Sequence, residues 1–216
     1  VNLENNRDGS DSNRSWNVGV EGESSAPQII QTRHILQKSM LATLILSAGI
    51  PMITMGDEVG RSQHGSNNAY SLPLDKDLRS VEAYGGGWAL NWNPTPDEVD
   101  LRETVSSLTA LRNTYLSDVM KEFFNGELDL ATSRKDLAWF RRNGEEMTAQ
   151  AWHEGERTFL SMYVDATANR ALLMFFNGST QQQEFTLPDE KWGTAYRSVF
   201  DSSSRTSEFE PVIAQP

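Results

Sequence analysis

The residues best placed to do chemistry follow a short apolar run, residues 50–55. Two acids, Asp57 and Glu58, come almost directly after this run, and a polar loop interrupted by glycines follows them. The candidate binding residues of that loop are His64, Asn68 and Tyr70. α/β enzymes build ligand sites where a buried strand delivers acids into such a loop. The same residues also fit a plainer interpretation, a strand end with a solvated loop, because Gly-Asp-Glu is short and common.

Two helices are predicted to flank this segment. The first has Ser25 as its cap, Pro27 in its first turn and an end near Ala48, just before a glycine. His34, near its start, is predicted to be a surface or capping residue rather than a ligand. The second helix follows Thr95-Pro96-Asp97-Glu98, a capping box with proline at the first helical position, and should end near Tyr115. Between the helices, the length and flanks of residues 50–55 predict a buried strand.

After about residue 120 the chain changes character. Short runs rich in aromatic and branched residues alternate with turn signals such as Asn143-Gly144. We expect antiparallel strands of a small β-sandwich, with residues 209–213 available as an edge strand in an otherwise polar tail. The predicted strands are residues 136–142, 158–164, 171–177, 183–187 and 195–200.

This order of elements predicts two domains of different class, α/β over residues 1–118 and all-β over residues 119–216. One parallel-type strand cannot make a sheet, and a complete (β/α)8 barrel needs about 250 residues. We therefore expect the α/β part to be truncated on its N-terminal side. The first residue is Val rather than Met, and the opening residues are loop-forming, which also suggests a piece of a longer protein.

Composition narrows the function classes. The chain of 216 residues has 19 basic and 30 acidic side chains, a net charge of −11, which disfavours binding to a phosphate backbone. The absence of cysteine excludes disulfides, thiolate nucleophiles and cysteine metal sites. No apolar run reaches membrane-spanning length. We predict no metal, no cofactor, no nucleic-acid partner and no membrane partner, and we expect a cytoplasmic protein.

Several short motifs occur in a specific order and at specific spacings. They lie at residues 6–9, 15–17, 21–22, 49–52, 56–58, 63–70, 136–140, 146–148 and 152. Together they resemble the C-terminal portion of bacterial glycogen debranching enzymes and isoamylases, glycoside hydrolases of family 13 in the α-amylase superfamily. The sequence departs from the family at residues 90–92, where Leu-Asn-Trp takes the place of a segment more often written with Thr and Asp.

The resemblance implies the C-terminal remnant of a (β/α)8 barrel followed by an antiparallel β-sandwich. It also implies a retaining α-1,6-glucosidase that acts on branch linkages of glycogen or a limit dextrin with two carboxyl groups. In the family these two groups, and a third aspartate that binds the sugar, lie at the ends of barrel strands four, five and seven, which would precede Val1. No residue here is therefore assigned a catalytic role, and the chain alone should be inactive. Asp57 and Glu58 are expected to be structural, whereas His64, Asn68 and Tyr70 are expected to line the substrate cleft.

Two other hypotheses remain open. A stand-alone glycan-binding or structural β module is suggested by the β domain and by Trp88 and Trp92, because tryptophans need burial or a flat ligand such as a sugar ring. A nucleotide-dependent enzyme is suggested by the apolar run ending in acids, but the phosphate-binding G-x-x-x-x-G-K-[ST] motif is missing.

The resemblance has one physical consequence, the loss of barrel neighbours. A large exposed apolar surface drives association, and an unpaired strand can pair with a second copy. We therefore expect the chain to self-associate. The side chains expected to be partly bare are Leu41, Leu44, Leu46, Ile50 and Ile53.

Overall fold

The computed structural model describes residues 15–62, 92–155, 158–166 and 170–216. Contacts divide the chain into two compact units. The helical unit takes the described residues of ranges 1–44, 51–106 and 202–207. The β unit takes residues 45–50 and the described residues of 107–201 and 208–216. Among the described residues, no helix is both long enough and apolar enough to cross a membrane.

The first helix, α1, spans Pro27–Leu46 and confirms the predicted start at proline. A residue far along the sequence stabilises its end: the guanidinium of Arg112 donates hydrogen bonds to the carbonyls of Ile45, Ser47 and Gly49 at 2.5–2.7 Å. The last carbonyls of a helix have no partner within the helix, so a charged donor there replaces water. Gly49 has φ +97, a left-handed conformation that few other residues adopt.

The second helix, α2, spans Pro96–Leu111 and continues as a π-helical turn over Arg112–Leu116. The capping box is confirmed: the Thr95 amide donates to Glu98 Oε2 at 2.6 Å, and the Glu98 amide donates to Thr95 Oγ1 at 3.4 Å. Leu101 and Leu108, which lie seven residues apart on one face of the helix, are buried. Local signals were thus sufficient to place this helix.

The predicted buried strand at residues 50–55 is wrong for the described structure. This run has no regular secondary structure, and Ile50, Met52 and Met55 are 91%, 83% and 72% exposed. A buried strand needs neighbours that pair with it on both sides, and the part of the chain that the structure describes pairs nothing with this run. The run instead leads into a 3-10 turn at Asp57–Val59.

The apolar side chains expected to be bare divide into two groups. Leu44, Ile50 and Ile53 are exposed, as predicted. Leu41 and Leu46 are buried, at 9% and 6% exposed, so the prediction is wrong for these two. The second half of α1 is apolar nearly all round, so the periodicity of the helix could not show which of its side chains would be covered.

The β unit contains antiparallel sheets, as predicted. Strands β1 (Leu128–Asp129) and β2 (Arg134–Lys135) form a two-stranded sheet. Strands β3 (Leu137–Phe140), β4 (Phe159–Asp165) and β5 (Ala171–Asn177) form a three-stranded sheet in that order. Strands β6 (Tyr196–Arg197) and β7 (Ile213–Ala214) pair with each other, and a short helix, α3 (Ala149–His153), follows β3.

Most of the predicted strands are confirmed, and one is wrong. The structure assigns no strand to residues 183–187; there the Thr186 amide donates to the Arg142 carbonyl. The predicted edge strand at residues 209–213 is found only in part: β7 begins at Ile213 and pairs with β6. The Asn143-Gly144 turn is confirmed as well, with φ +82 at Gly144 and a Leu187 carbonyl oxygen that would lie 2.7 Å from an added Cβ. Only glycine fits this close approach.

Candidate functional site

Asp57 and Glu58, the predicted structural acids, lie in the 3-10 turn after the apolar run. Asp57 Oδ2 accepts a hydrogen bond from the Thr54 amide at 2.8 Å, and its Oδ1 lies 3.4 Å from Arg61 Nε. Glu58 Oε2 accepts from the Gly56 amide at 2.8 Å. Both carboxylates therefore bind the backbone of their own turn. The predicted binding residues His64, Asn68 and Tyr70, and Trp88 as well, lie outside the described residues.

Two glycines define this turn. Gly56 and Gly60 precede and follow it with φ +99 and +65, in the left-handed region that glycine adopts without strain. An added Cβ at Gly60 would lie 3.0 Å from Gln37 Nε2 and 3.3 Å from Leu101 Cδ2. A side chain at this position would therefore crowd Leu101 of α2 and the movable end of Gln37 of α1.

A buried charged cluster lies between α1 and α2, next to that contact. We call His34, Lys38 and Asp100 the polar triad. His34 Nε2 lies 2.7 Å from Asp100 Oδ2, and Lys38 Nζ lies 3.1 Å from the same oxygen. The side chains of these three residues are only 16%, 1% and 4% exposed, respectively. The prediction of His34 as a surface or capping residue is therefore wrong, because its ring pairs with a buried carboxylate.

Residues 202–206, which we call the latch segment, bind the polar triad. Lys38 Nζ donates to the Ser204 carbonyl at 2.5 Å, and the Thr206 amide donates to Asp100 Oδ1 at 2.6 Å. Two further contacts join the latch segment to α2: Thr104 Oγ1 to Thr206 Oγ1 at 2.8 Å, and Arg205 to Asp97 at 2.5 Å. The sequence predicted only a polar tail here, but this part of the tail binds both helices.

The electrostatics of the triad indicate a structural carboxylate. Burial alone raises the pKa of Asp100, but hydrogen bonds from His34, the Thr206 amide and Lys38 outweigh it and lower the pKa from 3.8 to about 2. Asp100 is therefore ionised near neutral pH and already accepts several hydrogen bonds. A general base for catalysis needs a pKa nearer the working pH and a free lone pair, so this geometry does not suit one.

The sequence held a partial signal for this cluster. His34 and Lys38 are four residues apart, so they share one face of α1. A lysine among apolar neighbours on a helix that must be covered predicts a buried partner or a side chain that reaches to solvent. The partner could not be identified, because Asp100 lies 62 residues from Lys38, and Ser204 lies 166 residues away.

The β unit offers an aromatic surface. Trp152 is 47% exposed, and its ring meets Trp139 edge to face with centroids 6.0 Å apart. Trp92, in the helical unit, is 84% exposed.

Within the described ranges, no group of three or more His, Cys, Asp or Glu side chains could hold a metal ion.

Comparison with known proteins gives a consistent result. Residues 136–216 match the family model of the isoamylase C-terminal domain. A protein of Mycobacterium tuberculosis called glycogen operon protein GlgX homolog is 32% identical over 226 aligned positions, covering 99% of this chain and 30% of that protein. A glycogen debranching enzyme of Pectobacterium carotovorum is 38% identical over 192 positions, covering 89% of this chain and 26% of that enzyme. The chain thus spans less than a third of the length of these relatives.

Proposed function

Since this chain is related over nearly its whole length to bacterial glycogen debranching enzymes, with an isoamylase C-terminal domain at residues 136–216, we propose that it works as the C-terminal part of such an enzyme. The parent reaction is hydrolysis of α-1,6 branch linkages in glycogen or a limit dextrin. One observation carries the proposal: the alignment covers 99% of the chain without being confined to the β domain.

The α/β part is proposed to be the last strand and helices of a (β/α)8 barrel, with residues 1–118 in the barrel and 119–216 in the β-sandwich domain. The assignment rests on the alignment, which covers 99% of the chain, because residues 50–55 do not form a strand in this structure. Ile50 is 91% exposed and Met52 is 83% exposed, whereas a β/α barrel surrounds each strand with two others. In a complete barrel, an eighth strand at this position would bury these side chains.

We assign hydrolysis of the glycosidic bond to carboxyl groups outside these 216 residues. Retaining glycosidases need a nucleophilic carboxylate and a carboxylic acid about 5 Å apart across the glycosidic bond. Asp57 and Glu58 already bind the backbone of their own turn, so we assign them the structural role of fixing that turn. His64, Asn68 and Tyr70 are proposed to line the substrate cleft. The isolated chain should therefore not hydrolyse glucan.

Two measurements test this proposal. The full-length gene product that contains this chain should release linear chains from a phosphorylase limit dextrin, with loss of the α-1,6 anomeric proton signal in NMR spectra. The purified 216-residue chain should leave the same signal unchanged under identical conditions. Hydrolysis by the 216-residue chain alone would overturn the assignment of catalysis to another part of the protein. A full-length product that leaves every α-1,6 linkage intact would overturn the function itself.

The exposed apolar run also supports self-association of the isolated chain. Leu44, Ile50 and Ile53 are exposed, and a second copy would bury part of that surface. Sedimentation velocity should detect a species larger than the 24.2 kDa monomer at micromolar concentration. A single monomeric species across the concentration range would contradict this part of the proposal.

A second candidate function is a stand-alone glycan-binding or structural β module. The observation that favours it is the half-exposed ring of Trp152, because an exposed tryptophan face stacks well on a sugar. Affinity electrophoresis in glycogen gels discriminates between the two functions. Retardation of the 216-residue chain that disappears in Trp152→Ala would favour the binding module, whereas unretarded migration of the unsubstituted chain would exclude it.

A further inference from the structure

The contacts of the latch segment and of the Asp57–Val59 turn fall on neighbouring residues of the same two helices. The latch segment binds Lys38 of α1 and Asp100 of α2. Gly60, which follows the turn, lies close to the adjacent residues Gln37 and Leu101: a Cβ added there would lie 3.0 Å from Gln37 Nε2 and 3.3 Å from Leu101 Cδ2. A change in the separation of α1 and α2 at Lys38 and Asp100 should therefore also move Gln37 and Leu101, the neighbouring residues that lie next to the turn.

We propose that Asp100 is a positioning residue for the Asp57–Val59 turn. Its two carboxylate oxygens accept hydrogen bonds from α1, through His34 and Lys38, and from the latch segment, through the Thr206 amide. Asp100 itself belongs to α2, so one side chain ties three separate stretches of the helical unit together. These hydrogen bonds set the distance between α1 and α2, and that distance in turn sets the position of Gly60 and of the turn.

The short distance between Gly60 and Leu101 would carry a movement of α2 to the turn. On the α2 side, a Cβ added at Gly60 would lie 3.3 Å from Leu101 Cδ2; on the α1 side the nearest atom is Gln37 Nε2 at 3.0 Å, the end of a flexible side chain that can move. Packed interiors transmit small displacements rather than absorb them. A shift of α2 at Leu101 is therefore expected to displace Gly60 and the turn more than a shift of α1 at Gln37, whose side chain can adjust.

The functional part of this inference rests on the function proposed above. In a debranching enzyme the turn would stand at the end of the eighth barrel strand, beside the substrate cleft. Asp100 touches no substrate, so its loss should alter how substrate fits rather than the chemical step. We therefore expect the Michaelis constant to change more than kcat.

Amide hydrogen exchange on the 216-residue chain tests the positioning directly. The reporters are the Gly60 amide, which donates to the Asp57 carbonyl at 3.1 Å, and the Arg61 amide, which donates to the Gly56 carbonyl at 2.9 Å. In Asp100→Asn both amides should exchange roughly ten times faster, because local opening of the turn becomes easier. The matched control is Asp118→Asn, whose carboxylate pairs with Lys121 on the surface and is 79% exposed. It should leave both rates unchanged.

Amides of strand β4, in the middle of the three-stranded sheet, serve as an internal reference. Unchanged exchange at Gly60 and Arg61 in Asp100→Asn would overturn the proposal, even if the Thr206 amide exchanged faster. Equal acceleration of the turn and of β4 would also overturn it, since that pattern is general destabilisation. If Asp100→Asn does not fold, His34→Ala removes one of the groups that bind the Asp100 carboxylate, and the same comparison decides the matter with a smaller expected acceleration.

Kinetics of the full-length enzyme form the second arm. Asp100→Asn should raise the Michaelis constant for limit dextrin by roughly 3- to 10-fold with a smaller change in kcat, while Asp118→Asn changes neither. A fall in kcat with an unchanged Michaelis constant would overturn the role in substrate fit. The exchange measurement needs no activity, so it still decides the positioning role if the full-length protein proves not to hydrolyse α-1,6 linkages.

Discussion

The helical unit and the β unit use different interactions in their interiors. The helical unit buries a charged, hydrogen-bonded set, the polar triad with the latch segment. The β unit buries an aromatic cluster in which Trp192 meets Phe140 and Tyr163 with ring centroids 5.0 Å apart in both pairs. The first arrangement depends on the pairing of every charge, and the second on shape and apolar area.

The two units also differ in whether their buried polar atoms have hydrogen-bond partners. Every member of the triad has a hydrogen-bond partner, whereas the buried hydroxyls of Tyr163 and Tyr196 have none among the described residues. Burial raises the pKa of both phenols, so they stay neutral at any ordinary pH. An unpaired neutral hydroxyl costs far less than an unpaired charge. We therefore expect that removal of a buried polar group destabilises the helical unit but leaves the stability of the β unit nearly unchanged.

The largest expected effect is in the aromatic cluster. Phe140→Ala should lower the free energy of unfolding by about 4 kcal/mol, because the removed ring leaves a cavity in a closely packed core. Denaturant titration followed by near-ultraviolet circular dichroism measures this loss. Phe175→Ala is the control, since Phe175 is 41% exposed and its removal should cost clearly less. Equal losses for the two variants would mean that burial does not decide stability in this unit.

The next effect is in the polar triad. Lys38→Met should destabilise the helical unit by about 3 kcal/mol, because it leaves the Asp100 carboxylate buried without its ammonium partner. Denaturant titration followed at 222 nm reports on the helices. Lys121→Met removes an exposed partner of Asp118 and should change stability by no more than about 0.5 kcal/mol. A loss below about 1 kcal/mol for Lys38→Met would break the contrast between the units.

Acid should weaken the helical unit in a defined window. The pKa of Asp100 is depressed to about 2 in the folded state from 3.8, so its stabilisation is complete above about pH 4 and is lost as the pH falls through about 2. The loss amounts to about 2 kcal/mol, with His34 and Lys38 as the groups that face the carboxylate. In Asp100→Asn this pH dependence should be missing. An identical acid profile in the variant would contradict the assignment.

The smallest expected effect is at Tyr163. Tyr163→Phe removes a buried hydroxyl that has no partner among the described residues, so stability should change by less than about 0.5 kcal/mol or rise slightly. Thermal unfolding followed by near-ultraviolet circular dichroism is sensitive enough to test this. A loss above about 1 kcal/mol would show that the hydroxyl is hydrogen-bonded in solution, and would bring the β unit closer to the helical unit in character.

Local signals in the sequence determined what could be predicted. The capping box at Thr95 and Glu98 located α2, and the Asn143-Gly144 turn located the end of β3. The strand expected at residues 50–55 was wrong, because a strand depends on partners that a local pattern does not contain. Of the predicted edge strand at residues 209–213, only Ile213 lies in β7, and its partner β6 is also shorter than expected.

The candidate site shows the same division. The acids Asp57 and Glu58 were found because they follow an apolar run and two glycines frame their turn. The polar triad was missed because its acid and its latch contacts are 62 to 166 residues from Lys38. Spacing within a helix can show that His34 and Lys38 share a face, but only the tertiary fold brings Asp100 to that face.

The latch segment also affects how this protein can be divided. The helical unit takes residues 202–207 from a stretch that lies between two pieces of the β unit, so neither unit is one continuous piece of gene. An expression fragment that starts at residue 119 would carry the latch segment away from α1 and α2 and expose its polar backbone to water. A fragment that ends at residue 118 would leave Lys38 and Asp100 without Ser204 and Thr206. A gene fusion or split-protein reporter therefore belongs in a surface loop of one unit rather than at a cut between them.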